Sequence, residues 1–459
     1  VLPQFVDQAD DETMPVTALT RAQVPRWRHA QPEPVARWVE RIGFTAKAGA
    51  TALLPGADGR LARVLLGLGE RPDLWSYAGL PFGLPEGIYR LDNPGEADAA
   101  TRAALGWALG GYAFTRYKRT ERTAARLVWP EEADRAAVAR AAEATTLVRD
   151  LVNTPANDLG PAELQAAAEQ LAGEFGAEIR AVVGNDLLLY HYPAIHAVGR
   201  ASARPPRLID VTWGAAEHPK LTVVGKGVCF DSGGLDIKSA QGMLFMKKDM
   251  GGAAHALALA RMVMAAGLKV RLRVLIPAVD NAISGDAFRP LDVLATRKGL
   301  TVEVGNTDAE GRLILCDALA EADSEKPALL IDFATLTGAA RIALGTEIPA
   351  LFCNHEDTAA ALLAAADRES DPLWRLPLWH GYARQLDTPV ADLCNATQRP
   401  FAGAILAALF LERFVSRETP WAHIDLYAWN AEERPGRPRG GEAMGLRAAF
   451  ALVSERFGG

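Results

Sequence analysis

The chain has 459 residues, of which 49% are apolar and 23% charged, and a formal net charge of −7. That length exceeds what one core usually serves, so two domains are expected, and the composition is that of a globular protein. The acidic balance argues against nucleic acid as the main partner. No stretch approaches the roughly 20 unbroken apolar residues of a membrane helix, so no membrane partner is expected.

The opening VLPQFVDQADDE has neither a basic n-region nor an apolar h-region, so no secretory signal is expected and the reading is cytoplasmic. Residues 1–130 hold strand-like segments such as ARVLLGLG and Ala-rich helical ones, and read as a smaller N-terminal α/β domain without convergent chemistry. One basic run in it, TRYKRTER at 115–122, reads as a solvated helix face. Residues 131–154 read as a connecting helix that stops at NTPAND, where proline cannot continue the hydrogen-bond ladder.

From 155 to 459 the pattern is strand–helix–strand. Strands are predicted at 207–213, 221–225, 270–279, 328–336 and 421–429, with helices such as 252–267 between them. This alternation predicts an α/β fold whose C-terminal domain has a mainly parallel sheet flanked by helices. In such sheets ligands bind beyond the carboxyl ends of the strands.

Two unusual clusters fall there. The segment 223–254 leaves a strand at Gly225, enters a helix after Gly251 and Gly252, and carries Lys226, Asp231, Lys238 and Asp249. The segment VEVGNTDAEGRLILCDAL at 302–319 places Asp308, Glu310 and Arg312 in a strand-to-helix turn. Gly311 allows a tight approach there, and the charge is expected at the helix end, outside the core. Singly, each residue reads as solvated loop. Together, four acids beside small residues repel one another unless cations lie between them. Oxygen-rich sites suit divalent metals, and two such ions would balance Asp231, Asp249, Asp308 and Glu310, as in two-metal hydrolases.

NTDAEGRL at 306–313, with GKGVCFDSGGLDIK and MKKDMGGAA, resembles the signatures of the leucyl aminopeptidase (cytosol aminopeptidase) family. Similar stretches run from about 148 to 452: RDLVNTPAN, RPPRLI, DFATLTGA, GAILAALFL and WAHID. The resemblance implies a metal-dependent aminopeptidase with residues 155–459 as its catalytic di-metal domain. By the same resemblance, Asp231 and Glu310 bridge two divalent ions, zinc or manganese. Lys226, as a neutral amine, and Asp249 complete the tighter site, and Asp308 completes the other. A metal-bridging water is the nucleophile. Lys238 is the fixed cation that polarises the scissile carbonyl, and Arg312 holds a bicarbonate as general base. Met246, Asn306, Ala309, Thr335 and Gly338 line the pocket for a Leu-sized first side chain. The implied substrates are peptides with a free N-terminus, and the implied assembly is a homohexamer.

Other conspicuous residues read as structural. His423 lies on a buried strand and reads as a satisfied core histidine, and His255 opens a helix. Cys229 and Cys316 flank the motifs on apolar faces; with Cys353 and Cys394 they form no C-x-x-C pair, so neither a zinc ribbon nor a disulfide framework is indicated. Ser239, Asp236 and Lys248 depart from the family pattern without removing a ligand, and bear on substrate preference. Ser232 in FDSGG is not in a G-x-S-x-G elbow, and the GKG lysine lacks the Ser or Thr of a P-loop. The alternatives are a dipeptidase such as a Cys-Gly hydrolase, and a non-catalytic hexameric scaffold or DNA-binding assembly.

Overall fold

The computed structural model describes residues 2–397 and 399–458. The chain forms two compact units, one running to Thr146 and adding Ala431–Arg439, the other comprising Leu147–Asn430 and Gly440–Gly459. The helix Arg135–Asn153 runs through the point of division. Both units are α/β, and no described helix is long and apolar enough to cross a membrane.

The first unit is built on β1 (Phe5–Val6), β2 (Met14–Thr20), β3 (Thr51–Pro55), β4 (Leu61–Gly69), β5 (Ile88–Leu91) and β6 (Arg126–Val128), in the order β1-β6-β5-β2-β4-β3. Every pairing is parallel except β3 with β4. A strand covered on both faces needs a continuous apolar run, and β4 has one: Val64, Leu65 and Leu66 are buried. Trp107, from the helix Ala97–Gly110, is buried and donates its indole N–H to Ala125 O at 3.1 Å. The basic run 115–122 is exposed, as expected, but it forms bends and irregular chain instead of a helix. It offers no apolar positions at helical spacing, so a helix there would have no face to bury.

The second unit holds a nine-stranded sheet. Its strands are β7 (Glu178–Val183), β8 (Arg207–Trp213), β9 (Lys220–Gly225), β10 (Gly227–Asp231), β11 (Arg271–Asn281), β14 (Leu329–Ala334), β15 (Ala350–Cys353), β16 (Trp374–Arg375) and β18 (Trp421–Asp425). Strands β12 (Val293–Ala295), β13 (Thr301–Glu303) and β17 (Leu393–Cys394) form a small separate sheet, and β19 (Trp429–Asn430) pairs with β20 (Gly440–Gly441). The large sheet runs β16-β15-β18-β14-β9-β11-β8-β7, with β10 added along β11. Five of its eight ladders are parallel, which makes it mainly parallel, with antiparallel pairs toward the flanks. The predicted strand at 207–213 coincides with β8.

The topology collects strand ends at one edge. β9, β14 and β18 are parallel neighbours, so Lys226, Thr335 and Asp425 follow or end adjacent strands. β10 runs parallel to the end of β11 and sets Asp231 opposite Asn281. Helices cover the sheet. The helix Gly251–Ala265 is apolar all round and buried over most of its length, as a helix inside a layered domain must be. It approaches the strands so closely that a Cβ on Gly252 would lie 2.1 Å from Phe333 O and 2.8 Å from Lys226 N. The helix Glu310–Ser324 contributes Leu313, Leu315 and Leu319 to a core shared with Leu275 on β11, Leu330 on β14 and Trp421 on β18.

The Gly252 contact sets a hard limit on side-chain size. Gly252→Ala pushes a methyl into the backbone of β14, and the expected cost is about 3 kcal/mol of unfolding free energy. Urea denaturation of the variant checks this, and an unchanged midpoint would contradict the close approach.

Candidate metal centre

Five chain segments meet at the carboxyl edge of the sheet. Lys226 leaves β9 and is 3% exposed. Its ammonium lies 2.8 Å from Asp249 Oδ2 and 3.1 Å from Glu310 Oε1, and donates to Thr335 O at 3.0 Å. Asp249 sits in a 3₁₀ segment, Met246–Met250, directly before the Gly251–Ala265 helix, and its Oδ1 accepts from Thr335 Oγ1 at 2.7 Å. Glu310 is the first residue of its helix, where a carboxylate is favoured by the helix dipole.

The second lysine binds the other pair of acids. Lys238 Nζ lies 2.8 Å from Asp231 Oδ2 and contacts Asp308 Oδ1. Asp231 ends β10, and its Oδ1 accepts from Gly233 N at 2.8 Å and Asn281 Nδ2 at 2.9 Å. One carboxylate oxygen from each of Asp231, Asp308 and Glu310 lies within 4.8 Å of the others, a spacing that one divalent ion could span. Glu310 Oε2 is buried with no hydrogen-bond partner. An acceptor left that way is costly unless a cation meets it, so the donor set fits a metal.

The protonation tendencies follow from crowding. Burial raises the Glu310 carboxyl to about 8, with Asp231 adding to the rise. Asp308 is raised to about 6 by burial and then by Asp231. For Lys226 burial acts downward, but Asp249, Glu310 and Asp231 outweigh it and hold the pKa above the ordinary lysine value. Lys238 is likewise raised: burial lowers it and Asp231 and Asp308 more than compensate.

All seven charged residues singled out in the sequence lie in this one unit, and six are joined by ion pairs. Arg312, on the first turn of the Glu310–Ser324 helix, donates from its guanidinium to Asn395 O at 2.5 Å; its Nε is buried without a partner, and burial lowers its pKa to about 10. Of the five pocket residues, Thr335 binds Asp249, while Asn306 and Ala309 belong to the loop that carries Asp308. Met246 opens the segment that carries Asp249. Gly338 is exposed at the start of the helix Gly338–Leu344, with no described hydrogen bond joining it to the carboxylates.

Two expectations need correction. The helix begins at Glu310, so Glu310 and Arg312 lie in its first turn, and Glu310 is 1% exposed. Its carboxyl is therefore inside the fold, where burial raises its pKa and the Lys226 ammonium at 3.1 Å opposes that rise. His423 is only half satisfied: Nδ1 meets Asp332 Oδ1 at 2.6 Å, while the buried Nε2 has no partner.

The other structural readings match the geometry. Burial raises the thiol pKa of Cys229 and Cys316, and neither forms a disulfide. Ser232 Oγ donates to Asn281 O at 2.7 Å and accepts from Gly234 N. Lys248 is buried 4.6 Å from the centre of the Tyr427 ring, and burial lowers its pKa to about 8.

Sequence reasoning passed over three residues that hold the site. Asn281 ties Asp231 to Thr307 O at 3.1 Å. Thr307, fully buried, donates its hydroxyl to Gly233 O and accepts from Asp236 N at 2.8 Å, while Asp236 Oδ2 accepts from Thr307 N at 2.7 Å. Asp236, which departs from the family pattern, clamps the Lys238 loop to the Asp308 loop. Asn395 is the third, and no motif marks it.

The chain is similar to proteins of one kind along its whole length. A family model described as the cytosol aminopeptidase family, catalytic domain, matches residues 146–450, and an M17 aminopeptidase N-terminal domain model matches 14–130. A protein of Syntrophotalea carbinolica named "Probable cytosol aminopeptidase" is 46% identical over 67% of this chain and 63% of its own length. Another of that name from Geobacter sp. is 38% identical over 92% and 91%. A crystal structure of a cytosol aminopeptidase from Coxiella burnetii is 49% identical, with a TM-score of 0.95 and 99% of each chain covered. The bottromycin maturation enzyme BotP in complex with Mn is 35% identical, with a TM-score of 0.87, covering 97% of this chain and 99% of that one.

One histidine near the site gives a pH signature. His255 Nδ1 donates to Gly251 O at 2.6 Å and Nε2 accepts from Met444 N at 2.9 Å, so the ring is held neutral, and burial lowers its pKa to about 4. A histidine depressed in the folded state contributes stability that is present above its unfolded pKa, about 6.5, and is lost as pH falls toward 4. The expected loss over that window is about 3 kcal/mol. Denaturation midpoints from pH 7 to 4.5 check it: His255→Gln should flatten the slope, and an identical slope would exclude His255 as its source.

Proposed function

From its place in the cytosol aminopeptidase family, to which the chain belongs, we propose that it is a metal-dependent aminopeptidase removing a Leu-like N-terminal residue from peptides. The observation that carries the metal dependence is the convergence of Asp231, Asp249, Asp308 and Glu310 around two lysines, with a buried Glu310 oxygen lacking a donor. Asp231 and Glu310 would help to hold both of two ions. Lys226 would have to give up the proton that Asp249 and Glu310 favour; with Asp249 it would then hold one ion, and Asp308 would hold the other. Oxygen ligands with one amine suit zinc or manganese. When bound, the two ions supply the Lewis acidity that makes water nucleophilic at neutral pH.

The chain's own residues do the rest. Lys238 keeps its proton and faces the charge that develops on the scissile carbonyl oxygen; a cation already fixed between Asp231 and Asp308 needs little reorganisation. The substrate's free α-amino group would be received at Asp249 or at an ion held there, which would exclude N-blocked peptides. Arg312, with a buried Nε lacking a partner, would hold bicarbonate, which supplies the general base. Met246, Asn306, Ala309, Thr335 and Gly338 line the pocket, where a methionine and small residues accept a Leu-sized group. Residues 155–459 would form the catalytic domain, apart from 431–439, which group with the first unit; 131–154 would be the connecting helix and 1–130 the N-terminal domain. The working form is a cytoplasmic homohexamer.

Chelator-stripped protein supplied with Zn²⁺ or Mn²⁺ and assayed on leucine amide and its N-acetylated form tests this. Metal-restored cleavage of the free-amine substrate alone is expected; no cleavage with either ion bound would move the reading to a dipeptidase or a scaffold. Lys238→Ala is expected to lower kcat about 100- to 1000-fold with KM little changed. Steady-state kinetics decide, and equal effects on both constants would remove Lys238 from the transition state.

A further inference from the structure

The loop that carries Asp308 is fastened by a side chain some ninety residues further along the chain. β13 leads into that loop, and it pairs in parallel with β17, Val302 opposite Leu393 and Glu303 opposite Cys394. Asn395 follows β17 and is fully buried. Its Oδ1 accepts from Gly305 N at 2.7 Å and Asn306 N at 3.2 Å, and its Nδ2 donates to Asn306 O at 2.8 Å and Ala309 O at 3.2 Å. An asparagine amide has two donors and two lone pairs, so its whole capacity is spent on this one loop. Its main-chain N–H donates to Glu303 O at 3.0 Å, and its carbonyl accepts from Arg312.

Gly305 allows the approach: a Cβ there would lie 2.7 Å from Cys394 Sγ. Across the loop, Asp236 binds Thr307 through both its N–H and its carboxylate. The loop is therefore gripped from two sides, and Asp308 lies between the points of grip.

We propose that Asn395 is a positioning residue of the aminopeptidase site. It sets the placement of Asp308, Asn306 and Ala309 through its side chain and steadies Arg312 through its carbonyl. Its effect on metal rests on the reading above, in which Asp308 serves one ion and not the other. A buried asparagine that merely satisfied backbone groups would affect stability alone.

The test uses the full chain as wild type, Asn395→Ala, the near-isosteric Asn395→Asp, and Asn354→Ala. Asn354 is a control, because its amide also ties two main-chain groups, Thr419 O and Trp421 N. Manganese titration of stripped protein by calorimetry, kinetics on leucine amide and amide hydrogen exchange of the 303–312 region are measured on each, with the melting temperature. Both Asn395 variants are expected to bind one ion as wild type does and the other at least about tenfold more weakly. KM is expected to rise by a similar factor, and exchange protection to fall in 303–312 alone. Asn354→Ala is expected to lower only the melting temperature. Unchanged exchange in 303–312 with unchanged metal affinity and KM, in whichever Asn395 variant folds, overturns the proposal. If the wild type binds fewer than two ions the di-metal reading fails instead, and exchange in 303–312 still decides the role of Asn395.

Discussion

Carboxylates gathered at the edge of a sheet have to be matched by positive charge, and the contact of Lys226 with Asp249 and Glu310 is where this fold meets that demand. A buried carboxylate without a partner would take up a proton or unfold its surroundings. Two lysines set against four acids leave negative charge over, and that remainder is what suits the edge to divalent cations. The surrounding architecture can be read as the means of holding this balance in place.

The packing around Lys226 shows how narrow the tolerance is. A Cβ on Gly311 would lie 2.5 Å from Lys226 Cε, so the helix bearing Glu310 and Arg312 reaches the lysine only because that position is bare. Gly252 does the same for the opposite helix, beside Lys226 N. Two glycines thus admit two helices to one residue, one against its side chain and one against its main chain. The sequence pattern suggested conformational freedom at Gly311; its structural use is room.

Much of this was legible beforehand. Strands that are buried on both faces are mostly apolar, with a few paired polar residues such as Asp210 and Asp332, which is why 207–213, 221–225 and 328–336 are readable from composition, and why the parallel arrangement follows from the helices between them. The charged cluster was legible because like charges close together in sequence need an explanation. Other features depend on contacts far apart along the chain. β10, GVCFD, has the short, glycine-flanked look of a turn and becomes a strand only because β11 offers it an edge. Asn395 lies among residues typical of surface loop, and its burial comes from the β13–β17 pairing. The basic run at 115–122 was misjudged for the converse reason: local charge says nothing about backbone form when no apolar face demands a helix.

One edge of the large sheet closes with β16, two residues long, whose neighbour Leu376 still bonds to Leu351 O before Pro377 removes the next N–H. Arg375 on that strand is bound to Glu356. Such an edge offers almost no template for a strand from another chain. Copies of this protein that meet along it must recognise one another through side chains, so contact there can be tuned or undone by surface substitutions without recruiting the backbone into aggregation.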